Sequence, residues 1–332
     1  MIISIIGYKN HSRRLISIID SLGLCKKLIV FHPNKEKLRK SFNSDQLNCE
    51  IVLTDLIDEL LDSSCIFITS PTSSHYDYLK KILPIFDGYF FCEKPPCATL
   101  KEANSLFSLD SSDKERIYFN FNYRSSMFAK VSLDAIKNNT YGKLISLEFC
   151  STHGLACQSE YQDNWRNKSE NILENIVGNV GIHYIDLASY LLNNVKLQSI
   201  SSLKVSKFSR RSDTFFIGLS SDNCLLSSIY LSYAAPFQNT AKLTFSDGII
   251  ELNDGELTIR HPRDTKDDSG MFMRPNKIVL STFFNSRDYY DNSLTESVAS
   301  FFKTINNNEY FSVSGFDSSI NTTKKILSLT LE

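Results

Sequence analysis

Six short apolar runs separated by stretches of helical periodicity fill the first 120 residues, and this alternation constrains the fold more than any other feature. The runs are IISII (2–6), KLIVF (27–31), CEIVL (49–53), CIFITS (65–70), GYFFCE (88–93) and RIYFNF (116–121). Between them, apolar residues recur at helical spacing near 11–22, 34–42, 55–61, 74–84 and 99–109. Strands that are apolar on both faces must be covered on both faces, and strands that alternate with helices run parallel. The pattern predicts an α/β fold with a doubly wound parallel sheet, whose ligands bind beyond the C-terminal ends of the strands.

The alternation stops near residue 121. A helix is expected over 126–138, a strand over 143–152 and a helix over 172–192. Strand-like runs then follow without intervening helices: LQSISSLKVSKF, DTFFIGLS, CLLSSIYLSY, TAKLTFSD and GIIELNDGELTIRH. Asp247-Gly248 and Asn253-Asp254-Gly255 carry hairpin turn signals. Two amphipathic helices near 290–305 and 316–328 close the chain. The organisation expected is therefore a domain over 1–121 and a second, α+β domain over 122–332 with an open, mainly antiparallel sheet. An open sheet with one uncovered face favours a homo-oligomer.

Bulk properties exclude several classes. Lys plus Arg (36) balance Asp plus Glu (37), a net charge of −1, so no global field attracts nucleic acid or an anionic membrane. No apolar stretch approaches the roughly 20 residues of a membrane span, and the first apolar run is too short for a signal peptide. Eight cysteines form no C-x-x-C pair, and several lie inside apolar runs. Reduced thiols in a cytoplasmic protein are expected, with neither a metal site nor a disulfide framework.

Four groups of residues carry candidate chemistry. The first apolar run ends at Gly7, followed by Tyr8-Lys9-Asn10-His11-Ser12 and a helical pattern. This is the strand–turn–helix layout that holds a dinucleotide pyrophosphate, but only the first glycine of G-x-G-x-x-G is present. In ITSPTSSHYDYL, a strand ends at Ser70-Pro71, a helix starts near Ser73-Ser74, and His75 falls in its first turn. In FFCEKPP, a buried strand delivers Glu93 and Lys94 to its C-terminal end, where desolvation can shift a lysine pKa. In ENIVGNVGIHYIDLASYLL, a continuous helix would align Asn175, Asn179, His183 and Asp186 on one face. A histidine oriented between Asn and Asp can serve as acid or base near neutral pH. Gly178 and Gly181 in that helix indicate close approach to a neighbour.

Taken together, these motifs resemble those of the glucose–fructose oxidoreductase, inositol dehydrogenase and rhizopine-catabolism (Gfo/Idh/MocA) family. Ser70-Pro71-Thr72-Ser73-Ser74-His75 is similar to the family's T-P-x-x-x-H, Glu93-Lys94-Pro95 to its E-K-P, and Asn122-Tyr123-Arg124 to its N-x-R. Trp165-Arg166 and Gly181-Ile182-His183-Tyr184-Ile185-Asp186 match W-R and G-x-H-x-x-D. The resemblance spans essentially the whole chain and is strongest from Cys65 to Asp186. It implies a Rossmann domain followed by an open sheet, with NAD or NADP as cofactor and a sugar, inositol or nucleotide-linked sugar as substrate. By the same resemblance, Lys94 and His183 would flank the carbon that exchanges a hydride, and one of them would move the proton. Asp186 would orient the site, Ser70, Pro71, His75, Glu93 and Lys94 would line the cofactor pocket, Arg124, Trp165 and Arg166 would meet substrate hydroxyl or phosphate groups, and Asn179 and His183 would also contact the substrate.

The sequence departs from the family at three places. Lys9 and Ser12 occupy the second and third glycine positions, so Gly7, Tyr8, Lys9 and Asn10 are expected to face a phosphate through different contacts. Asn179 stands where an acid is common, and an amide cannot act as a base. The acid that holds the ribose 2′-hydroxyl in NAD enzymes is replaced by His32-Pro33-Asn34-Lys35, which leans towards NADP. A ligand-binding relative without turnover, and a reductase of an imine or a linear tetrapyrrole, stay open as alternatives at this point.

Overall fold

The computed structural model describes all residues except 43–46, 170, 223 and 330–332. The chain divides into two compact units, one of residues 1–121 and 295–324, the other of 122–294 and 325–332.

In the first unit, β1 (Ile2–Ile6), β2 (Lys27–Phe31), β3 (Glu50–Thr54), β4 (Cys65–Ile68), β5 (Tyr89–Glu93) and β6 (Ile117–Asn120) form a parallel sheet in the order β3-β2-β1-β4-β5-β6. The helices α1 (Asn10–Ser21), α2 (Lys35–Ser41), α3 (His75–Ile82), α4 (Leu100–Phe107) and α5 (Ser111–Lys114) lie between the strands in sequence. Every residue of β4 is buried, as expected for a strand covered on both faces. The helix expected over 55–61 is only a three-residue 3₁₀ turn, Asp58–Leu60. Its single buried residue, Leu60, offers too little apolar surface to hold a longer helix to the sheet.

From β1 the chain builds β2 and β3 on one side and then returns to place β4 on the other. The C-terminal ends of β1 and β4 therefore diverge at a topological switch point, where open α/β sheets bind ligands.

The second unit begins with α6 (Met127–Lys137) and β7 (Leu144–Thr152), followed by α7 (Trp165–Lys168) and α8 (Ile182–Leu191). Seven further strands are β8 (Lys196–Leu203), β9 (Thr214–Ser221), β10 (Cys224–Ser232), β11 (Gln238–Phe245), β12 (Ile249–Asn253), β13 (Glu256–Arg260) and β14 (Lys277–Thr282). They join β7 in the order β14-β13-β12-β11-β7-β10-β9-β8. Every pairing in this sheet is antiparallel except β7 with β10. Both hairpin signals fall where expected, between β11 and β12 and between β12 and β13. Strand β14 is almost wholly exposed and lacked an inward-facing apolar pattern by which to read it.

The segment expected as one helix over 172–192 is broken. A 3₁₀ turn (Ile172–Glu174) and a π turn (Val177–Gly181) precede α8. Asn175 is extended, and its Oδ1 accepts from the amides of Val177 (2.8 Å) and Gly178 (3.3 Å). It therefore caps the turn and does not share a continuous helix face with His183. The two glycines explain the close packing: a Cβ on Gly178 would lie 2.2 Å from the Leu173 backbone, and one on Gly181 would lie 2.7 Å from Leu231.

Two long helices, α9 (Ser286–Asn306) and α10 (Val313–Leu327), follow the second sheet in the chain, but residues 295–324 cluster with the first unit. Aromatic packing accounts for this. Phe301 of α9 lies 5.4 Å from Phe67 of β4 and 5.3 Å from Phe91 of β5, ring centre to ring centre, and Phe67 stacks on Phe91 at 4.5 Å. Phe311, which precedes α10, stacks on Phe301 at 5.3 Å. A fully buried aromatic ring in such a cluster contributes several kcal/mol. The Phe301→Ala variant is therefore expected to lose about 3–5 kcal/mol, read as a lower denaturant midpoint for the first unit; an unchanged midpoint would show that α9 does not anchor there.

Candidate functional site

Backbone geometry fixes the corner where β1 meets β4. Gly7 has φ +94°, a left-handed value that glycine adopts without strain. Its amide donates to Phe31 O at 3.0 Å, and a Cβ would sit 2.9 Å from both Cα and N of Ser70. No other residue fits that position.

Ser12, at the third glycine position, is fully buried. Its hydroxyl accepts from the Lys9 amide (3.2 Å) and lies 2.8 Å from Thr69 Oγ1, which itself donates to Ile6 O at 2.9 Å. Because the Thr69 proton is committed to that carbonyl, Ser12 is the donor in the pair. Helix α1 is thus sewn to the ends of β1 and β4, so a serine does here the packing for which a glycine is usually required. Lys9 and Asn10 stand exposed at the N-terminus of α1, whose first amides favour an anion. Tyr8 packs on Phe42 at 4.8 Å, with the Arg13 guanidinium 5.0 Å from its ring.

Glu93, at the end of β5, is buried. His11 Nε2 lies 2.8 Å from its Oε1, and Asn120 Nδ2 donates to the same oxygen at 2.7 Å. Asn120 Oδ1 accepts from Ser297 Oγ at 2.8 Å, and that hydroxyl lies 2.8 Å from Tyr118 OH. Burial alone pushes the Glu93 carboxyl up. The charge and hydrogen bond of His11, the Asn120 amide and the charge of Lys94 together hold it below the ordinary value. The Glu93 charge in turn raises His11 against its own burial and the charges of Lys94 and Arg14. His11 carried no role in the sequence reading; its place in the first turn of the helix after Gly7 was the signal available.

His75 is buried, where the simplest reading of a helix entry would leave it exposed. Its Nδ1 lies 2.8 Å from Pro95 O and its Nε2 2.7 Å from Ser70 O. Burial lowers its pKa, so near neutral pH one ring nitrogen donates and the other does not. The imidazole spans the two turns that follow β4 and β5, the turns that carry Pro71 and Lys94. His32, at the end of β2, accepts the Asn34 amide at Nδ1 (2.9 Å), and Asn34 Oδ1 caps α2 by accepting the Lys37 amide (2.8 Å). The turn from His32 to Lys35 contains no carboxylate; Glu36 is exposed in the first turn of α2 between two lysines.

In the second unit, Arg124 Nε donates to Asp186 Oδ2 at 2.8 Å, and its Nη2 donates to Oδ1. This two-pronged pair neutralises a carboxylate that is 1% exposed. Sequence reasoning placed Asp186 and Arg124 at the site separately; the fold makes them one unit. Lys325 Nζ donates to Ser189 Oγ at 3.0 Å, and burial lowers its pKa against the attraction of Asp186.

His183, one turn earlier on α8, is buried with its ring centre 5.1 Å from that of Tyr123. Asn179 Nδ2 donates to Tyr233 OH at 3.1 Å. Arg166 stacks over the half-exposed Trp165 ring at 4.4 Å and also reaches the Tyr233 hydroxyl, whose pKa is raised by burial and held back by Asn179 and Arg166. The sequence motifs thus separate into two clusters, Arg124 with Asp186 and Asn179 with Tyr233 and Arg166. Tyr233 itself was legible only as an apolar strand residue.

Comparison with known proteins gives a consistent result. Residues 2–121 match the family model described as "Oxidoreductase family, NAD-binding Rossmann fold", and residues 133–251 match the GFO/IDH/MocA C-terminal domain. A search of curated proteins finds no match. Among solved structures, similar folds include a myo-inositol dehydrogenase from Corynebacterium glutamicum, at 17% identity over 98% of this chain and 94% of that one (TM-score 0.73). Levoglucosan dehydrogenase in complex with NADH and levoglucosan is 15% identical over 99% and 97% (TM-score 0.77). An oxidoreductase from Agrobacterium radiobacter in complex with NAD+, L-tartaric acid and magnesium is 16% identical over 98% and 94% (TM-score 0.76).

The His11–Glu93 pair sets a pH window. A raised His11 pKa gives stabilisation that is complete below its ordinary value of 6.5 and is lost as pH rises through the folded value. The lowered Glu93 pKa gives stabilisation present above 4.5 and lost as pH falls through the folded value. In Glu93→Gln, burial and the two nearby cations remain, and all of them lower His11. An NMR titration of His11 should therefore move from above 6.5 in the parent to below 6.5 in the variant. A His11 pKa that stays put would show that the carboxylate does not set it.

Proposed function

The chain belongs to the GFO/IDH/MocA oxidoreductase family, and from that membership we propose that it is an NAD(P)-dependent dehydrogenase or reductase acting on a hydroxyl or carbonyl of a sugar-like substrate. The observation that carries this reading is the corner at Gly7. A left-handed glycine pressed on Ser70 makes the tight turn from β1 to α1, whose open N-terminus presents its first amides to a pyrophosphate. The residues present fit a dinucleotide even though two glycines of the usual loop are replaced. A bound nicotinamide would supply the hydride-transfer chemistry.

The chain's own contribution is positional and protonic. Lys9, Asn10 and the α1 amides would hold phosphate; Ser70, Pro71 and His75 would shape the wall beside the ring. Glu93, kept ionised by His11 and Asn120, would set the field at Lys94. Lys94 and His183 are the proposed proton carriers; Asp186, tied to Arg124, would support the helix that presents His183. Asn179, Trp165, Arg166 and Arg124 are the proposed substrate-side residues. The histidine and lysines at the end of β2, with no carboxylate in the turn, support NADP over NAD. A sugar or inositol substrate is supported by the levoglucosan and myo-inositol dehydrogenases among the similar structures.

Titration of NADH and NADPH followed by nicotinamide fluorescence tests the cofactor. Saturable binding with NADPH preferred is expected, and binding of neither by folded protein would end the dehydrogenase reading. With a turnover substrate found, Lys94→Met and His183→Ala should each retain cofactor binding and lose about 10²–10⁴-fold in kcat. Full turnover in both variants would remove them from the chemistry.

The second sheet leaves Leu203, Phe216 and Leu226 exposed, which supports a homo-oligomer through this open sheet. Sedimentation equilibrium should return a multiple of the 37.8 kDa chain mass, and Phe216→Asp should shift it towards that mass. A monomeric parent protein would exclude this assembly.

A further inference from the structure

His75 sits where a neutral imidazole cannot meet every demand made on it. Its Nδ1 lies 2.8 Å from Pro95 O and its Nε2 2.7 Å from Ser70 O. Carbonyl oxygens only accept, and a neutral imidazole has one N–H. One of the two contacts therefore sets a ring lone pair against an oxygen lone pair. An imidazolium donates from both nitrogens and satisfies both carbonyls at once. The backbone around the ring is shaped for the charged form.

Burial acts the other way. The ring is 1% exposed, and taking a cation out of water is costly unless charge nearby offsets it. Two charged groups act on it, Glu93 at the end of β5 and Lys94 just beyond; the first favours the cation and the second opposes it. Glu93 is itself shared with His11 of α1. Burial is the strongest of these influences and keeps the ring neutral near neutral pH. His75 thus stands between a geometry that calls for two protons and a charge balance that allows one. One more negative charge nearby would tip it.

The two carbonyls belong to turns of different use. Ser70 is the residue against which Gly7 is pressed, since a Cβ on Gly7 would lie 2.9 Å from both its Cα and its N. Gly7 leads into the N-terminus of α1, where anions are favoured. Pro95 directly follows Lys94. One side chain therefore joins the corner read as the phosphate site to the turn that carries a proposed proton carrier. We propose that His75 is a positioning residue that takes up a proton when a dinucleotide binds, and that as an imidazolium it clamps the Ser70 and Pro95 carbonyls and so fixes the backbone of Lys94. The proton comes from solvent and settles on the ring nitrogen that lacked one; no other bond changes. The inference rests on the dinucleotide reading of the Gly7 corner given under the proposed function.

The test titrates NADPH and NADH into the protein by calorimetry at constant pH, in buffers of different ionisation enthalpy, which counts the protons taken up. Net uptake is expected in the parent protein and should be lost in His75→Gln, whose amide cannot titrate. Affinity should fall as pH rises from about 6 to 8, by up to about tenfold per pH unit, and the His75→Gln profile should be flatter. Amide exchange at Lys94 and Cys97, on either side of the two prolines, should slow on nucleotide addition in the parent and less so in the variant. Ring ¹⁵N NMR of the parent protein needs no variant: one protonated nitrogen is expected at His75 without nucleotide and two with it. A ring that stays neutral in the complex, a ring doubly protonated before nucleotide is added, uptake undiminished in His75→Gln, or equal slowing of exchange in parent and variant would each overturn the inference. Nucleotide binding accompanied by any of these results leaves the dehydrogenase reading standing. Binding of neither nucleotide by folded protein ends that reading and this inference with it.

Discussion

A carboxylate buried at the end of a central strand must be compensated, and Glu93 organises the first unit around that requirement. An isolated ionised carboxylate in an apolar interior would be neutralised or expelled. Here three elements converge on it: α1 brings His11, β6 brings Asn120, and α9 braces Asn120 through Ser297. The result fixes the start of α1 relative to the strand that leads into Lys94. It also explains why a helix near the C-terminus of the chain belongs to the N-terminal unit. Phe301 supplies the apolar part of that attachment, and Ser297 the polar part.

The second unit solves a similar problem differently. Asp186 is almost fully enclosed and is answered by a single two-pronged partner, Arg124, with a lysine close by. A buried ion pair of this kind adds little net stability over an apolar replacement, yet removing one partner costs several kcal/mol. Its use is geometric: it pins α8 to the turn that follows the first unit's last strand. The π turn ahead of α8 has the same character. Gly178 and Gly181 admit the Leu173 backbone and the Leu231 side chain, and the extra residue per turn sets Asn179 towards Tyr233.

Much of this is legible in the sequence. Alternating apolar runs gave the six parallel strands to within two residues of their observed ends, because a strand covered on both faces has no choice but to be apolar throughout. The hairpins at Asp247-Gly248 and Asn253-Asp254-Gly255 were legible because turn geometry is local. Three features escaped for equally physical reasons. Residues 55–61 have helical spacing but too few buried contacts to nucleate a helix. The segment over 172–192 has one apolar period, yet it is broken by the Asn175 cap and by the packing of Gly178 on Leu173 and of Gly181 on Leu231, which a periodicity does not report. Strand β14 is solvent-exposed, so no pattern marks it.

The sequence by itself determined the class of fold and marked the candidate positions: Gly7 stands out for its turn geometry, and Lys94, His183 and Asp186 for the chemistry their side chains can do. Only the tertiary structure decided how those groups are paired. That His11 answers Glu93, that Ser12 closes a gap usually left to glycine by donating to Thr69, and that Arg124 belongs to Asp186 all depend on contacts between elements far apart in the chain. Desolvation makes such pairings obligatory once the groups are buried, but which partner arrives is fixed by strand order and helix packing, and neither is written in any local stretch of residues.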